Sequence, residues 1–165
     1  METNRDLLSA VHNFNAIGQV VPPGPTFNAD RVCFHTGMQL EEMAEKIAVV
    51  AEGAVTLNER EYLRRFASEL DMMGRKFKAS YYQGAVLRAD REALLDADID
   101  IAVVTAGSMQ YQTPHYRLAV DAVLGANDAK FPDGIANRDP VTNKILKPAG
   151  WKPADLTPFL VPRND

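Results

Sequence analysis

The chain of 165 residues sets 18 lysines and arginines against 22 aspartates and glutamates, for a formal net charge of −4, and is 46% hydrophobic. That length and apolar share suit the core of one ordinary domain, and the acidic balance argues against a nucleic-acid partner, since gripping a phosphate backbone needs a concentrated basic patch. The single cysteine, Cys33, excludes an internal disulfide and reads as a small buried apolar residue in a reducing compartment.

Taken in chain order, Leu7, Leu8, Val11 and Phe14 recur at helical spacing, Gly18 ends that helix, and Val21-Pro22-Pro23-Gly24-Pro25 follows as an extended connector. Asn28 or Asp30 caps a second helix, with Leu40, Met43, Ala44, Ile47 and Ala51 on its inner face and Gly53 at its end. A third is expected to start at Asn58, where Asn58 and Glu61 form a capping box, and to turn Leu63, Phe66, Ala67, Leu70 and Met73 inward. The pattern between Lys76 and Asp90 is ambiguous. A fourth helix over about Asp90 to Met109 and a fifth over about Thr113 to Lys130 follow, the last with Pro114 in its first turn and Val120, Val123 and Leu124 buried. No segment reads as a strand, so the expectation is an all-α bundle of about five helices. After Phe131, prolines at Pro132, Pro140, Pro148, Pro153, Pro158 and Pro162 permit turns and extended chain but no long helix, so 132–165 reads as an arm or lid on a core of about 8–131. The apolar runs Ile47 to Ala51 and Ile101 to Ala106 are too short to cross a bilayer, and no basic-then-apolar leader opens the chain; a soluble cytoplasmic protein without a membrane partner is expected.

The chemistry concentrates in two acidic stripes. Glu41, Glu42 and Glu45 stand three and four residues apart on the second helix, a spacing that lets their oxygens converge beside it. Met38 and Val49 lie at nearly the same helical angle, so this face begins and ends apolar, as a water-facing stripe rarely does. Glu92, Asp96 and Asp100 form a second stripe that runs on into Val103, Val104 and Gly107, placing Asp100 at the mouth of a buried segment; Asp98 points elsewhere. A shared cation removes the cost of burying such carboxylates, and a set made only of oxygens favours Mg²⁺ or Mn²⁺ over zinc. A di-iron centre would require Glu-x-x-His pairs, and none of His12, His35 and His115 stands three residues after a glutamate. On the fifth helix Asn127 falls on the apolar face with Lys130 a turn beyond, a pair fit to hold phosphate oxygens or, equally, a buried amide beside a surface lysine. Asp121 is a further acid of that helix or a surface residue.

Together these residues resemble the all-α nucleoside triphosphate pyrophosphohydrolases, the MazG-like and phosphoribosyl-ATP pyrophosphohydrolase-like group, in its phage-type form. Its E-E-x-x-E motif matches Glu41, Glu42 and Glu45. Its second motif, E-x-x-D, is matched at Asp100 but has Ala97 at the glutamate position, with Asp96 as the substitute ahead of Val103 and Gly107. Its third, V-x-x-x-N-x-x-K-F, is present as Val123, Asn127, Lys130 and Phe131. The run from Asp139 to Pro148 and then Trp151 to Leu156 is similar to the tail of phage and bacterial members.

The resemblance implies hydrolysis of a nucleoside or deoxynucleoside triphosphate between its α and β phosphates, yielding the monophosphate and pyrophosphate, with water attacking in line and no protein nucleophile. It assigns Glu42, Glu45, Asp96 and Asp100 to Mg²⁺, Glu41 to a second ion or to positioning water, and Asn127 and Lys130 to the phosphates. It also implies a homodimer or homotetramer, with dGTP or GTP a serious candidate substrate because some phage relatives act on guanine nucleotides. Phe34, His35 and Met38 are candidates to line the base or, equally, core or interface residues, and Trp151 is a candidate to close over the site at the base or to pack on a neighbour. Two rivals stand beside this reading: a non-catalytic nucleotide or Mg²⁺ sensor of the same fold, and a helical interaction protein whose acids face water.

Overall fold

The computed structural model describes residues 6–18, 26–140 and 144–162; the predicted connector at 21–25 and the part of the tail motif at 141–143 lie outside them. The described residues form an all-α protein of six helices, α1 (Leu7–Ile17), α2 (Ala29–Glu52), α3 (Leu57–Lys78), α4 (Gln83–Arg88), α5 (Arg91–Gln112) and α6 (Tyr116–Asp128), followed by a 3-10 turn at Thr157–Phe159. The short α4 comes from the stretch whose pattern is ambiguous in sequence. By its internal contacts the chain divides into two compact units, Pro23–Leu94 and Met1–Pro22 with Leu95–Asp165.

The first unit is built on an antiparallel pair, α2 and α3. Asn28 caps α2 by accepting from the Arg31 amide at 3.0 Å, and Gly53 ends it. The next cap is Thr56 rather than Asn58: its hydroxyl accepts from the Glu59 amide and the Glu59 carboxylate accepts from the Thr56 amide, both at 3.2 Å. The sequence holds two overlapping boxes of the same spacing, and Thr56 wins because its backbone is already extended (φ −105°, ψ 151°), as an N-cap requires.

Along the pair, α2 lays Cys33, Gly37, Ala44 and Ala51 against Ala67 and Gly74 of α3, all buried and all small. A Cβ on Gly37 would stand 2.6 Å from the Gly74 carbonyl oxygen, and one on Gly74 would stand 2.8 Å from the Gly37 carbonyl oxygen, so the two backbones cross at van der Waals contact. Larger neighbours expected inward stay partly in water, with Met43 44%, Phe66 42% and Met73 36% exposed. At the open end of the pair, Ala29, Cys33 and Val86 form a small core under Phe27, Val32, Phe77, Tyr82 and Leu94. The Cys33 thiol donates to the Phe77 carbonyl at 3.2 Å, and so behaves as the buried residue expected of it. Ser80 takes the left-handed backbone (φ 59°) that turns the chain from α3 toward α4, and its hydroxyl donates to the Asp30 carboxylate.

In the second unit α1 packs on α6, with the rings of Phe14 and Phe131 5.0 Å apart. α6 begins at Tyr116, later than expected, and Pro114 precedes it. Buried Thr113 explains the delay: its hydroxyl donates to the Phe159 carbonyl and accepts from the His115 amide at 3.0 Å, which ties up the chain just where a helical turn would start. Leu124 is buried as expected, whereas Val123 is 41% exposed. Past α6 the described residues contain no further α-helix; Arg138 and Ile145 form an isolated antiparallel bridge, and the Arg138 guanidinium donates to the Gly18 carbonyl beyond the end of α1.

The helix crossing yields the first prediction. Gly74→Ala should cost about 2 kcal/mol, because either backbone must move to admit the methyl group. The melting temperature should then fall by roughly 4–8 °C. Gly107→Ala, in α5, meets nothing within 4 Å and should leave stability unchanged or raise it slightly. Thermal unfolding followed by circular dichroism compares the two; equal melting temperatures would refute the tight crossing.

Candidate functional site

Glu41 lies in the row of α2 that faces α3. Its carboxylate is met there by Lys78, whose ammonium donates to Oε1 at 2.6 Å and to Oε2 at 2.7 Å. The two side chains are only 25% and 33% exposed, so water screens the pair incompletely and it acts as a strut between the helices. The acid expected to hold a second ion or to position water is thus engaged by a residue 37 positions downstream. Glu42 and Glu45, off this row, are exposed. Met38 at 41% and Val49 at 74% exposure flank them, so within one chain the expectation that this face is buried does not hold. The reason is the narrow seam of small residues: it needs only one stripe of α2, and the helix's larger apolar side chains fall outside it. His35, also on α2, is exposed, with its ring edge-on to Phe34 at 5.9 Å.

On α5, Glu92, Asp96 and Asp100 are all exposed. The segment beyond Asp100 was expected to be buried; instead Ile101, Val103 and Val104 are 43%, 62% and 66% exposed, and no residue of α5 is buried. Glu41, Glu42 and Glu45 belong to the unit Pro23–Leu94, Asp96 and Asp100 to the other. Among the described residues no group of three or more histidines, cysteines, aspartates or glutamates is gathered so as to hold a metal ion. The donor chemistry still suits Mg²⁺, which is commonly held by one or two carboxylates with water and substrate phosphates completing its shell. Glu42 and Glu45, both exposed and about one helical turn apart, meet that requirement.

A second cluster joins residues far apart in sequence. At the end of α6 the Lys130 ammonium donates to Asn127 Oδ1 at 2.8 Å and stands 5.7 Å from the ring centroid of Phe14 and 5.6 Å from that of Trp151. The Trp151 indole N–H donates to the Ala126 carbonyl at 2.7 Å, so the ring is fixed against the last turn of α6. A tight turn delivers it: the Trp151 amide donates to the Pro148 carbonyl at 3.0 Å, and Gly150 between them has φ 78°, the left-handed backbone required at the third position of a type II turn. On the same ring rests Lys147, its ammonium 4.3 Å from the centroid. Of the residues expected to contact phosphates or base, Asn127, Lys130 and Trp151 are therefore brought together, while His35 and Met38 belong to the other unit. Half-buried Asp121 lies earlier on α6. Lys78, Lys147 and Phe14 were given no site role from the sequence: Phe14 read as an apolar residue of the first helix, and Lys147 only as part of the run from Asp139 to Pro148.

An open groove of about 600 Å³ at the tip of the α2–α3 pair is lined by Val50, Gly53, Ala54, Val55, Glu59, Tyr62 and Leu63. Its one carboxylate, Glu59, already serves the Thr56 capping box. No helix among the described residues is long and apolar enough to cross a membrane. Compared with protein-family models, with characterised proteins and with solved structures, the chain finds no match.

The Glu41–Lys78 strut yields a second prediction. Lys78→Met and Glu41→Gln should each lower stability by roughly 1–2 kcal/mol, since each leaves a half-buried partner without its counter-charge. The double variant should lose less than the sum of the two in denaturant unfolding. Strictly additive losses would show that the pair contributes nothing.

Proposed function

We propose that the protein hydrolyses a nucleoside or deoxynucleoside triphosphate to the monophosphate and pyrophosphate in a Mg²⁺-dependent reaction, with Mn²⁺ able to replace Mg²⁺. We further propose that it works in the cytoplasm as a homodimer or homotetramer. The observation that carries the reading is the meeting of Asn127, Lys130 and Trp151, which sets an amide, a cation and an aromatic ring side by side. The reaction class is taken from the resemblance of the ordered motifs to those of the MazG-like group, and dGTP or GTP is the first substrate to try.

In this reading Lys130 neutralises phosphate oxygens and Asn127 holds the Lys130 ammonium in place by the hydrogen bond they already share. The acids that would hold Mg²⁺ are Glu42 and Glu45 on α2 and, on α5, Asp96 and Asp100; when bound, the ion would supply the charge neutralisation a triphosphate needs. The Glu41–Lys78 strut fixes the rotation of α2 on α3 and with it the outward aim of Glu42 and Glu45. Water attacks the α phosphorus, the bond to the bridging oxygen breaks, and pyrophosphate leaves with that oxygen. The assembly proposal rests on the apolar residues of α5: Leu95 (62%), Ile99 (54%), Val103 (62%) and Val104 (66%) are exposed in one chain, and exposed large apolar side chains grouped on one helix are ordinarily covered by a partner.

Glu42→Gln and Asp100→Asn should each reduce turnover by about 100-fold or more at unchanged melting temperature. Full turnover in both would overturn the assignment. Light scattering should give the mass of two or four chains, and Val103→Glu with Val104→Glu should reduce it to one; a wild-type monomer at working concentration would count against the assembly. The same exposed α5 favours a second reading, a helical interaction protein. That reading requires no turnover of any triphosphate and no rise in melting temperature with Mg²⁺ or Mn²⁺, because a ligand selective for the native state must stabilise it.

A further inference from the structure

Lys147 is exposed, and among the described residues the contact its ammonium makes is with the Trp151 ring, 4.3 Å from the centroid. Lys130 approaches the same ring to 5.6 Å. Each cation is attracted to the π system of the indole, and an anion bound beside the ring would be attracted to both. The geometry is held in place rather than left to two mobile side chains. Lys147 precedes Pro148, which restricts its backbone to extended conformations, and the turn closed from Trp151 to Pro148 brings residue 147 back over ring 151. The ring is pinned to Ala126, and Lys130 is held by Asn127 on one side and faces Phe14 on another. The local charge agrees: from Lys130 to Lys152 the chain carries Lys130, Arg138, Lys144, Lys147 and Lys152 against Asp133 and Asp139, in a protein whose net charge is −4.

We propose that Lys147 and Lys130, set on the ring of Trp151, form a subsite for a diphosphate group, namely the β and γ phosphates of the substrate and then the pyrophosphate product. The ligand class rests on the hydrolase reading above. The subsite gives Trp151 a part different from base stacking: both cations rest on its ring, and the base must be read elsewhere. Lys147 is then a binding residue for the leaving group, and its removal weakens both substrate and product.

The test is isothermal titration calorimetry of the full chain with inorganic pyrophosphate, with and without Mg²⁺, alongside the emission of Trp151, the single tryptophan of the chain and hence a reporter at the site itself. Saturable binding with a change in emission is expected. Lys147→Ala should weaken it about tenfold or more, the loss of one charged hydrogen-bonding partner. Because the side chain is exposed, that variant should keep the wild-type circular dichroism. Lys152→Ala, beside the ring in sequence, should bind as wild type. Three results would each overturn the subsite: no heat and no emission change at millimolar pyrophosphate, equal affinity in Lys147→Ala, or the same response to sulfate at matched ionic strength. Assaying triphosphate hydrolysis on the same preparation separates the two proposals. Hydrolysis without a Lys147-dependent pyrophosphate site removes the subsite and leaves the enzyme, whereas pyrophosphate binding without hydrolysis of any triphosphate keeps the subsite and removes the hydrolase.

Discussion

The unit from Pro23 to Leu94 depends on the contact between Gly37 and Gly74. Two helices whose backbones touch at one point gain dispersion contacts along the seam, and they do so only if the residues at the closest approach are small. Cys33, Gly37, Ala44, Ala51, Ala67 and Gly74 satisfy this, and all are buried. The consequence reaches the acids directly. At so close a crossing a lysine on α3 reaches a carboxylate on α2 with its full ammonium, which is why Glu41 and Lys78 form a strut while Glu42 and Glu45 are left on the outer side.

The second unit solves a different problem, that of tethering a chain too rich in proline to continue as helix. It does so with polar and aromatic fastenings: Arg138 to the Gly18 carbonyl, Trp151 to the Ala126 carbonyl, Thr113 to the Phe159 carbonyl, and the Phe14–Phe131 contact between helices. Each uses a carbonyl or ring that a helix end leaves open, so these fastenings hold the described residues after α6 against the helices. Lys130 stands beside the rings of Phe14 and Trp151 that take part in these fastenings, and the same side chain is the one proposed to meet a phosphate. Structure and proposed chemistry therefore share residues here, whereas on α2 they are divided between Glu41 and its two neighbours.

Helix class and most helix ends were legible in the sequence because they follow from local rules. Asn28 and Gly53 bound α2 where capping chemistry puts them, and Leu124, Ala44 and Ala51 are buried where the period of 3.6 puts them. The misplacements have equally local causes: Thr56 competes with Asn58 for the same kind of box, and Thr113 is drawn away from α6 by Phe159. What stayed hidden was relational. Periodicity marks which residues avoid water but not what covers them, so the apolar face of α5 read as core although one chain leaves it exposed. No local pattern links Glu41 to Lys78 or Phe14 to Lys130, since those pairings exist only once the helices have packed. Asn127 and Lys130 were expected at the phosphates and Trp151 at the base, with no contact foreseen between them; the turn at Gly150 that brings Trp151 to the other two is visible in the structure alone.

The central claim is a reaction, and the most direct measurement is a product analysis. The protein is incubated with Mg²⁺ and, in turn, each standard ribo- and deoxyribonucleoside triphosphate, and the products are separated by ion-exchange chromatography. Monophosphate and pyrophosphate in equal amounts, from one base in preference to the others, are expected. Diphosphate with inorganic phosphate, or intact triphosphates throughout with Mn²⁺ as well as Mg²⁺, would rule the proposed activity out.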